Sequence, residues 1–557
     1  MITDSADPRS LQTGAGVKGC VRNFGHWVLF LVALAASTAT GSPAQARTLR
    51  TEGRFFRDEQ GAVVMLRGLN LTGDAKVPPF RPIDDHSLLD RLPRWGVNVA
   101  RLLFTWEAFE PERGRYDASY MDYYAGVVDA LHSRGIWVIV DIHQDAFSRF
   151  ATDGCGEGMP AWAISPSVVP DTPDNGPNCS SWGIKFIVDL DTHRCWDDFY
   201  ADASGVRTRY LALLATIAER LGSHPGVIGY DMLNEPWGDE VTQIGPLYED
   251  AARVLRPVDP DAILFVSAQA LTSSGEDTKL VRPSFDNFAY SPHYYDPNVF
   301  LLHAWPGGTL EQPVERMFAR AMGWNVPMFL GEFGGPGEAQ NIAAYVDAFY
   351  AALDARFVSG AQWTLSARWD PQRKDGWNAE DFSILDDAGS FRNNYRVRPY
   401  PARTSGEPLG FSASFEPSPV VELSWNNDPG RGDTRIFAPL AEIFGGSAMA
   451  LTEGEVDCIF EPDQRHAKCS SASSGQKMVR LQRCDPGAAC LPVGSVPAED
   501  GGTGDVGPPP REPARSGACA AHPSRQGSPS QAVLSLSFIL LLMRRRDRRF
   551  VRARRPS

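Results

Sequence analysis

Eight short apolar runs, rich in β-branched and aromatic residues and separated by helix-patterned stretches, occupy the chain between residues 50 and 400. They are VVMLRGLN (63–70), GVNVARLLF (96–104), IWVIVDIH (136–143), VIGYDMLNE (227–235), AILFVSA (262–268), FAYSPHYY (288–295), VPMFLGEF (326–333) and AQWTLS (361–366). Near-continuous apolar runs of this length suit strands buried on both faces of a parallel sheet. Stretches such as YMDYYAGVVDALHSRG and GVRTRYLALLATIAERLG carry helical spacing between them. Eight strand–helix units predict an α/β fold of the (β/α)8 TIM-barrel type. The alternative is a doubly wound open sheet, which normally carries a Gly-rich phosphate turn after its first strand. No such turn is present.

At 557 residues the chain exceeds one compact domain. The barrel is expected over residues 47–400. Beyond Tyr400 the pattern shifts to short alternating segments (GFSASFEP, VVELSWN, TRIFAPL) with turn residues between them, which predicts a small β-sandwich over 401–492. A Pro- and Gly-rich linker follows over 493–518, and then a tail over 519–557. Residues 1–46 read as an export signal: a weakly basic start (Arg9, Lys18, Arg22), the run WVLFLVALAA, and SPAQA ending at Ala46.

Export explains the cysteines. Seven of the nine fall in two groups, Cys155, Cys179 and Cys195, and Cys458, Cys469, Cys484 and Cys490. In an exported chain such groups read as disulfides; the rival is metal binding, but no CxxC or paired His accompanies them. Three cysteines in the first group leave one odd, and the spacing does not pair them.

The formal net charge is −14, although the segment from Cys519 onwards carries nine Arg and one Asp, so the body is more acidic still. An acidic body speaks against nucleic acid as a partner, since phosphate rewards clustered Lys and Arg. A neutral glycan or a glycolipid at a membrane surface fits better, and a monomer is expected. The fourteen Trp suit either core packing or sugar stacking.

The chemistry-bearing residues gather at the C-terminal ends of the expected strands, where barrel active sites are built. Asn234 and Glu235 close the fourth in LNEPW, and Glu332 closes the seventh in FLGEFGG. Asp141, His143 and Asp145 close the third, His293 and Tyr295 the sixth; Arg101 lies on the second and Trp363 on the eighth. Taken singly, a strand-end Glu is an ordinary surface charge and a lone His an ordinary core residue. Their coincidence at one end of successive strands is what points to a site. Two carboxyl groups across a glycosidic bond are the minimum needed to hydrolyse it, one protonating the leaving oxygen and the other attacking the anomeric carbon or activating water. Asn234 is suited to a sugar 2-hydroxyl, and Tyr295 to orienting Glu332. No metal or other cofactor is called for.

These motifs resemble glycoside hydrolase family 5, in the clan of retaining (β/α)8 enzymes. More narrowly, RGLNLTGDAKVPPF, DIHQDAFSR, DMLNEPWGD, SPHYYD and FLGEFGG resemble its endoglycoceramidase group, over about residues 50–490. The resemblance implies Glu235 as acid/base and Glu332 as nucleophile. It implies a sugar subsite lined by Lys76, Asp141, His143, Asp145, Asn234, His293, Tyr295 and Trp363, and release of an intact glycan from ceramide. One departure is FVSAQAL (265–271), where the group usually continues with an acidic-Pro pair, so the aglycone side is expected to differ. Rival readings are another family 5 β-glycosidase acting on a glucan, glucosylceramide or sterol glucoside, and a non-catalytic carbohydrate-binding surface protein.

The tail holds AVLSLSFILLLM, shorter than the roughly twenty residues that span a bilayer, followed by eight Arg. The order Cys519, apolar run, Arg cluster resembles the C-terminal sorting tails of myxobacterial surface proteins. It predicts a cell-surface or extracellular location; membrane tethering without cleavage is the alternative.

Overall fold

The computed structural model describes residues 48–171, 179, 182–485 and 487–494. The export signal, the tail and all but the first two residues of the linker lie outside these described residues.

Eight parallel strands build the central sheet: β1 (Arg67–Leu71), β2 (Val99–Thr105), β3 (Trp137–His143), β4 (Val227–Asp231), β5 (Ile263–Val266), β6 (Phe288–Tyr290), β7 (Phe329–Leu330) and β8 (Ser359–Leu365). Their hydrogen-bonded order is β7-β8-β1-β2-β3-β4-β5-β6. At the seam, Tyr290 bridges to Met328, and beyond the strand ends His293–Tyr294 pairs in parallel with Glu332–Phe333. The sheet therefore curls into a near-closed barrel, with helices such as Ala118–His132, Val206–Leu221 and Ile342–Asp354 between its strands.

Side chains alternate in and out along each strand, so inward residues stack in layers. Val99 and Ile139 belong to an apolar plug with Ile263, Phe265, Phe329 and Ala361. Two residues further along, the same faces place Arg101 and Asp141, both with fully buried side chains. The polar layer thus sits directly on an apolar floor, which denies water access from below.

The first expected strand divides in two. Val63–Val64 leaves the barrel and pairs antiparallel with Arg403–Thr404, while Arg67–Leu71 stays as β1. Apolar periodicity reports burial and not the partner, which is why the run read as one element. With Leu49–Glu52 and Phe55–Asp58, this piece extends a seven-stranded antiparallel sheet that otherwise comes from residue 400 onwards. A four-stranded sheet (Gly406–Ser414, Val420–Asn427, Gly475–Arg483, Ala448–Glu453) shares a core with it through Val421, Leu423, Trp425, Ile436, Phe460 and Leu481. The N-terminal strands contribute Leu49, Phe56 and Val64 to the barrel plug, so the antiparallel part and the barrel floor are packed together.

Three disulfides form, Cys155–Cys179, Cys458–Cys469 and Cys484–Cys490, and the odd cysteine is the buried free thiol of Cys195.

Candidate active site

Arg101 organises the centre of the barrel mouth. Its Nη1 donates to Glu332 Oε1 at 2.8 Å and to Asn70 Oδ1 at 3.0 Å. Its Nη2 donates to Asp141 Oδ1 at 2.9 Å and to Asn234 Oδ1 at 2.8 Å, and Nε and Nη2 both reach Asp231 Oδ2. The planar guanidinium fork is matched to such a multidentate set. Burial alone would lower the Arg101 pKa, but Asp141, Asp231 and Glu332 outweigh it and hold it above its ordinary value.

Glu332 also accepts from the Tyr295 hydroxyl at 2.8 Å through Oε2, so both of its oxygens are acceptors, the bonding pattern of a carboxylate anion. Glu235 is placed differently. His293 Nδ1 lies 3.0 Å from its Oε1 and 3.5 Å from Glu332 Oε2. Burial raises the Glu235 pKa, with the His293 hydrogen bond pulling the other way. His293 itself is pushed up, because Glu332 and Glu235 outweigh the lowering by burial. One oxygen of Glu235 and one of Glu332 lie within 4.8 Å of each other. Two neighbouring carboxyl groups thus sit in unlike environments, the arrangement that separates an acid from a base.

The backbone is shaped to present Glu235. Its φ is +35°, in the left-handed half of conformational space that costs a non-glycine residue energy and collects at functional sites. Gln144 clamps this turn, donating from Nε2 to the Asn234 and Glu235 carbonyls at 2.7 and 3.0 Å. Close packing also demands glycine before Glu332, since a Cβ on Gly331 would lie 2.6 Å from His293 Nε2.

A second cluster adjoins the first. His143 Nδ1 pairs with Asp141 Oδ2 at 2.7 Å, and Lys76 Nζ donates to Asp145 Oδ2 at 2.6 Å and to Glu380 Oε2 at 3.3 Å. Trp363 stacks on the His143 ring at 5.5 Å, and Lys76 lies 4.4 Å from the Trp363 ring and 4.2 Å from that of Trp377. Burial would lower both cations, but the carboxylates prevail: Asp141 and Asp145 push His143 up to about 10, and Asp145 and Glu380 hold Lys76 above its usual value. Burial would raise Asp145, but Lys76 and His143 hold it below the usual carboxylate range.

All ten expected site residues therefore converge on one mouth. Their placement refines two readings. Asp141 is fully buried with its oxygens taken by Arg101 and His143, so it supports those side chains from behind. The Asn234 carboxamide is already engaged, accepting from Arg101 and donating to the Gln144 carbonyl at 3.1 Å. Sequence reasoning left out Asn70, Gln144, Asp231, Glu380 and Trp377. Asn70, Gln144 and Asp231 sit in the same strand-end motifs as residues it did select, whereas Glu380 and Trp377 come from a loop with no periodic signal.

Apolar surface flanks the carboxylates. Tyr295, Phe300 and Phe382 pack together with centroids 5.8 to 6.1 Å apart, contiguous with Trp363, Ala75 and Leu103. Phe300 belongs to the helix Pro297–Leu302, which abuts the helix Trp182–Val188 at Gly183. These two helices and the residues after them expose Ile184, Val188, Leu190, Leu301 and Leu302.

Endoglycoceramidase I of Rhodococcus hoagii is 27% identical over 503 residues, covering 83% of this chain and 93% of that protein. Among solved structures, endo-glycoceramidase II from a Rhodococcus species in a ganglioside GM3 complex superposes with a TM-score of 0.66 at 23% identity, over 78% of this chain and all of that one. Sterylglucosidase 1 of Cryptococcus neoformans superposes with a TM-score of 0.66 at 17% identity, over 81% and 99%. The profile of the cellulase family, glycosyl hydrolase family 5, matches residues 57–170 and 177–368, more than half of the sequence, and the chain belongs to that family.

Proposed function

We propose that this glycosidase hydrolyses glycosphingolipids with retention of configuration, releasing the glycan from ceramide, with Glu235 as acid/base and Glu332 as nucleophile. The observation that carries the mechanism is the pair of carboxyl groups, oxygens within 4.8 Å, in opposite settings. Retaining enzymes hold their carboxyls about 5–5.5 Å apart, whereas inverting ones leave room for a water at about 6.5–9.5 Å. Glu332 attacks the anomeric carbon while Glu235 gives its proton to the leaving oxygen; Glu235 then takes a proton from the water that cleaves the glycosyl–enzyme bond. Lys76, His143, Asp145, His293, Tyr295 and Trp363 line the glycan pocket, Asn234 offers it the second proton of its amide, and Asp141 lies behind them.

A ceramide aglycone is supported by the extent of similarity to the Rhodococcus hoagii endoglycoceramidase and by the apolar wall beside Glu332. Each buried methylene is worth about 0.8 kcal/mol, so a lipid chain on the Phe300 surface would dominate ground-state affinity. The exposed apolar residues of the two rim helices support action at a membrane surface; the same reading has the enzyme act as a monomer. Export is supported by the three disulfides, and delivery to the cell surface through the tail is part of the same reading. The shared core of the two antiparallel sheets supports a β-sandwich.

The test offers a ganglioside, glucosylceramide, a sterol glucoside and a soluble β-glucan in parallel. The expected products are an intact oligosaccharide and free ceramide. Preference for a sterol glucoside or glucosylceramide would favour the second reading, for which the likeness to the Cryptococcus sterylglucosidase speaks.

A further inference from the structure

Glu157 belongs to none of the steps above, yet it is buried in the sugar cluster. It is 1% exposed, its Oε1 lies 3.7 Å from His143 Nε2, and neither of its oxygens has a hydrogen-bond partner. His143 Nε2 is likewise buried without a hydrogen-bond partner, 3.6 Å from Asp145 Oδ2. A buried carboxyl without hydrogen-bond partners is destabilising, and packing alone would be better served by an apolar side chain.

The loop around Glu157 is built to hold it there. Asp145 and Glu157 exchange backbone hydrogen bonds at 3.2 and 2.8 Å. The residue before it could not carry a Cβ, which on Gly156 would lie 2.6 Å from the Ser148 carbonyl. The residue after it, Gly158, has φ +107° and touches Gln144. The Cys155–Cys179 disulfide ties the same turn. The groups facing Glu157 are His143, Asp141 and Asp145 from β3 and its loop, Lys76 from the turn after β1, and Tyr120 from the helix Ala118–His132.

We propose that Glu157 is a positioning residue for the glycan: in its neutral form, packed 3.7 Å from His143 Nε2, it backs the His143 ring and leaves Lys76 paired with Asp145, the arrangement that binds sugar. Ionised, it repels Asp145 and competes for Lys76, and the pocket loses affinity. The proton moves only between Glu157 and solvent, and no bond of the substrate is involved. Burial pushes the Glu157 carboxyl up to about 8, with His143 pulling down and Asp145 pushing up, so this change falls in an accessible range. The inference rests on the assignment of Lys76, His143 and Asp145 to glycan binding.

The experiment measures KM for a glycosphingolipid in detergent from about pH 6 to 9, for wild type and Glu157→Gln, with kcat followed separately. A single ionisation near 8 raises the wild-type KM about tenfold between pH 7 and 9, while Glu157→Gln, which stays neutral, keeps its pH 7 value throughout. A merely structural role would shift KM or stability at every pH without removing the pH dependence. A wild-type KM flat over this range overturns the proposal whether or not the variant folds, and so do superimposable profiles. If Lys76→Gln leaves KM unchanged, the assignment of the pocket fails instead. If it raises KM while the Glu157 profiles coincide, only the present inference fails.

Discussion

Arg101, on the second barrel strand, donates a 2.8 Å hydrogen bond to Glu332, the carboxylate that follows the seventh. The same guanidinium holds Asn234, the neighbour of Glu235, at 2.8 Å. One side chain therefore ties together the two segments that carry the proposed nucleophile and the proposed acid. Orientation of this kind converts bound substrate into a reactive arrangement, an effect worth about 7–11 kcal/mol at its limit.

Arg101→Lys keeps the charge but loses the planar fork, and is expected to fold while kcat falls by at least about a hundredfold. Arg101→Ala strands the buried carboxylates of Asp141 and Asp231 and is expected to cost about 3–5 kcal/mol of stability. Thermal melts with kcat measurements distinguish the two. A Lys variant with full activity would refute the organising role.

Glu332→Gln and Glu235→Gln should each lower kcat by several orders of magnitude with unchanged circular dichroism. Azide should restore turnover in Glu332→Gly as a glycosyl azide of inverted configuration. Rescue at a different carboxylate, and none at Glu332, would remove the nucleophile assignment.

The alkaline limb of kcat is expected to follow from the proposed acid, Glu235. As the proposed acid it must hold a proton for glycosylation, and burial raises its pKa, so kcat is expected to extend above the ordinary carboxyl range and to fall as pH rises through the folded-state value. An aryl glycoside whose leaving group needs no protonation should show no alkaline limb from this group in Glu235→Gln. A limb that survives unchanged in that variant would assign it elsewhere.

Stability should also fall on the alkaline side. His143 is raised to about 10, so its contribution is complete below its unfolded value of about 6.5 and is lost as pH rises through 10. Glu157, raised to about 8, has the same sign, because the folded state binds its proton more tightly and stability falls between its unfolded value of about 4.3 and 8. A Tm that declines between about pH 6.5 and 10 is expected, and a flat one would contradict the buried cluster.

Lys76→Gln should raise KM for glycosphingolipids by about tenfold or more with a smaller change in kcat, since Lys76 is proposed to bind the glycan and not to take part in the reaction. It removes the buried partner of Asp145 and Glu380, so a stability loss accompanies it. Equal KM for both proteins would take Lys76 out of the pocket.

The barrel, its eight strands and the two carboxyl-bearing motifs were legible in the sequence, because buried parallel strands leave apolar runs and barrel chemistry sits at their ends. Through their resemblance to family 5 motifs, GDAKVPPF, HQDAFSR and FLGEFGG pointed to Lys76, Asp145 and Glu332, which the fold brings to one mouth. What only the tertiary structure decided are relations between distant segments. Among them are the departure of Val63–Val64 to the antiparallel sheet, the pairing that leaves Cys195 free, and the arrival of Glu380 beneath Lys76 and of Glu157 against His143. A strand run or a motif is encoded in neighbouring residues. Glu157 and Glu380 lie in loops without periodicity, and a carboxylate in such a loop reads as a solvated charge. It becomes part of a site only when chain closure buries it against partners far away in sequence, where low dielectric makes their mutual charges decisive.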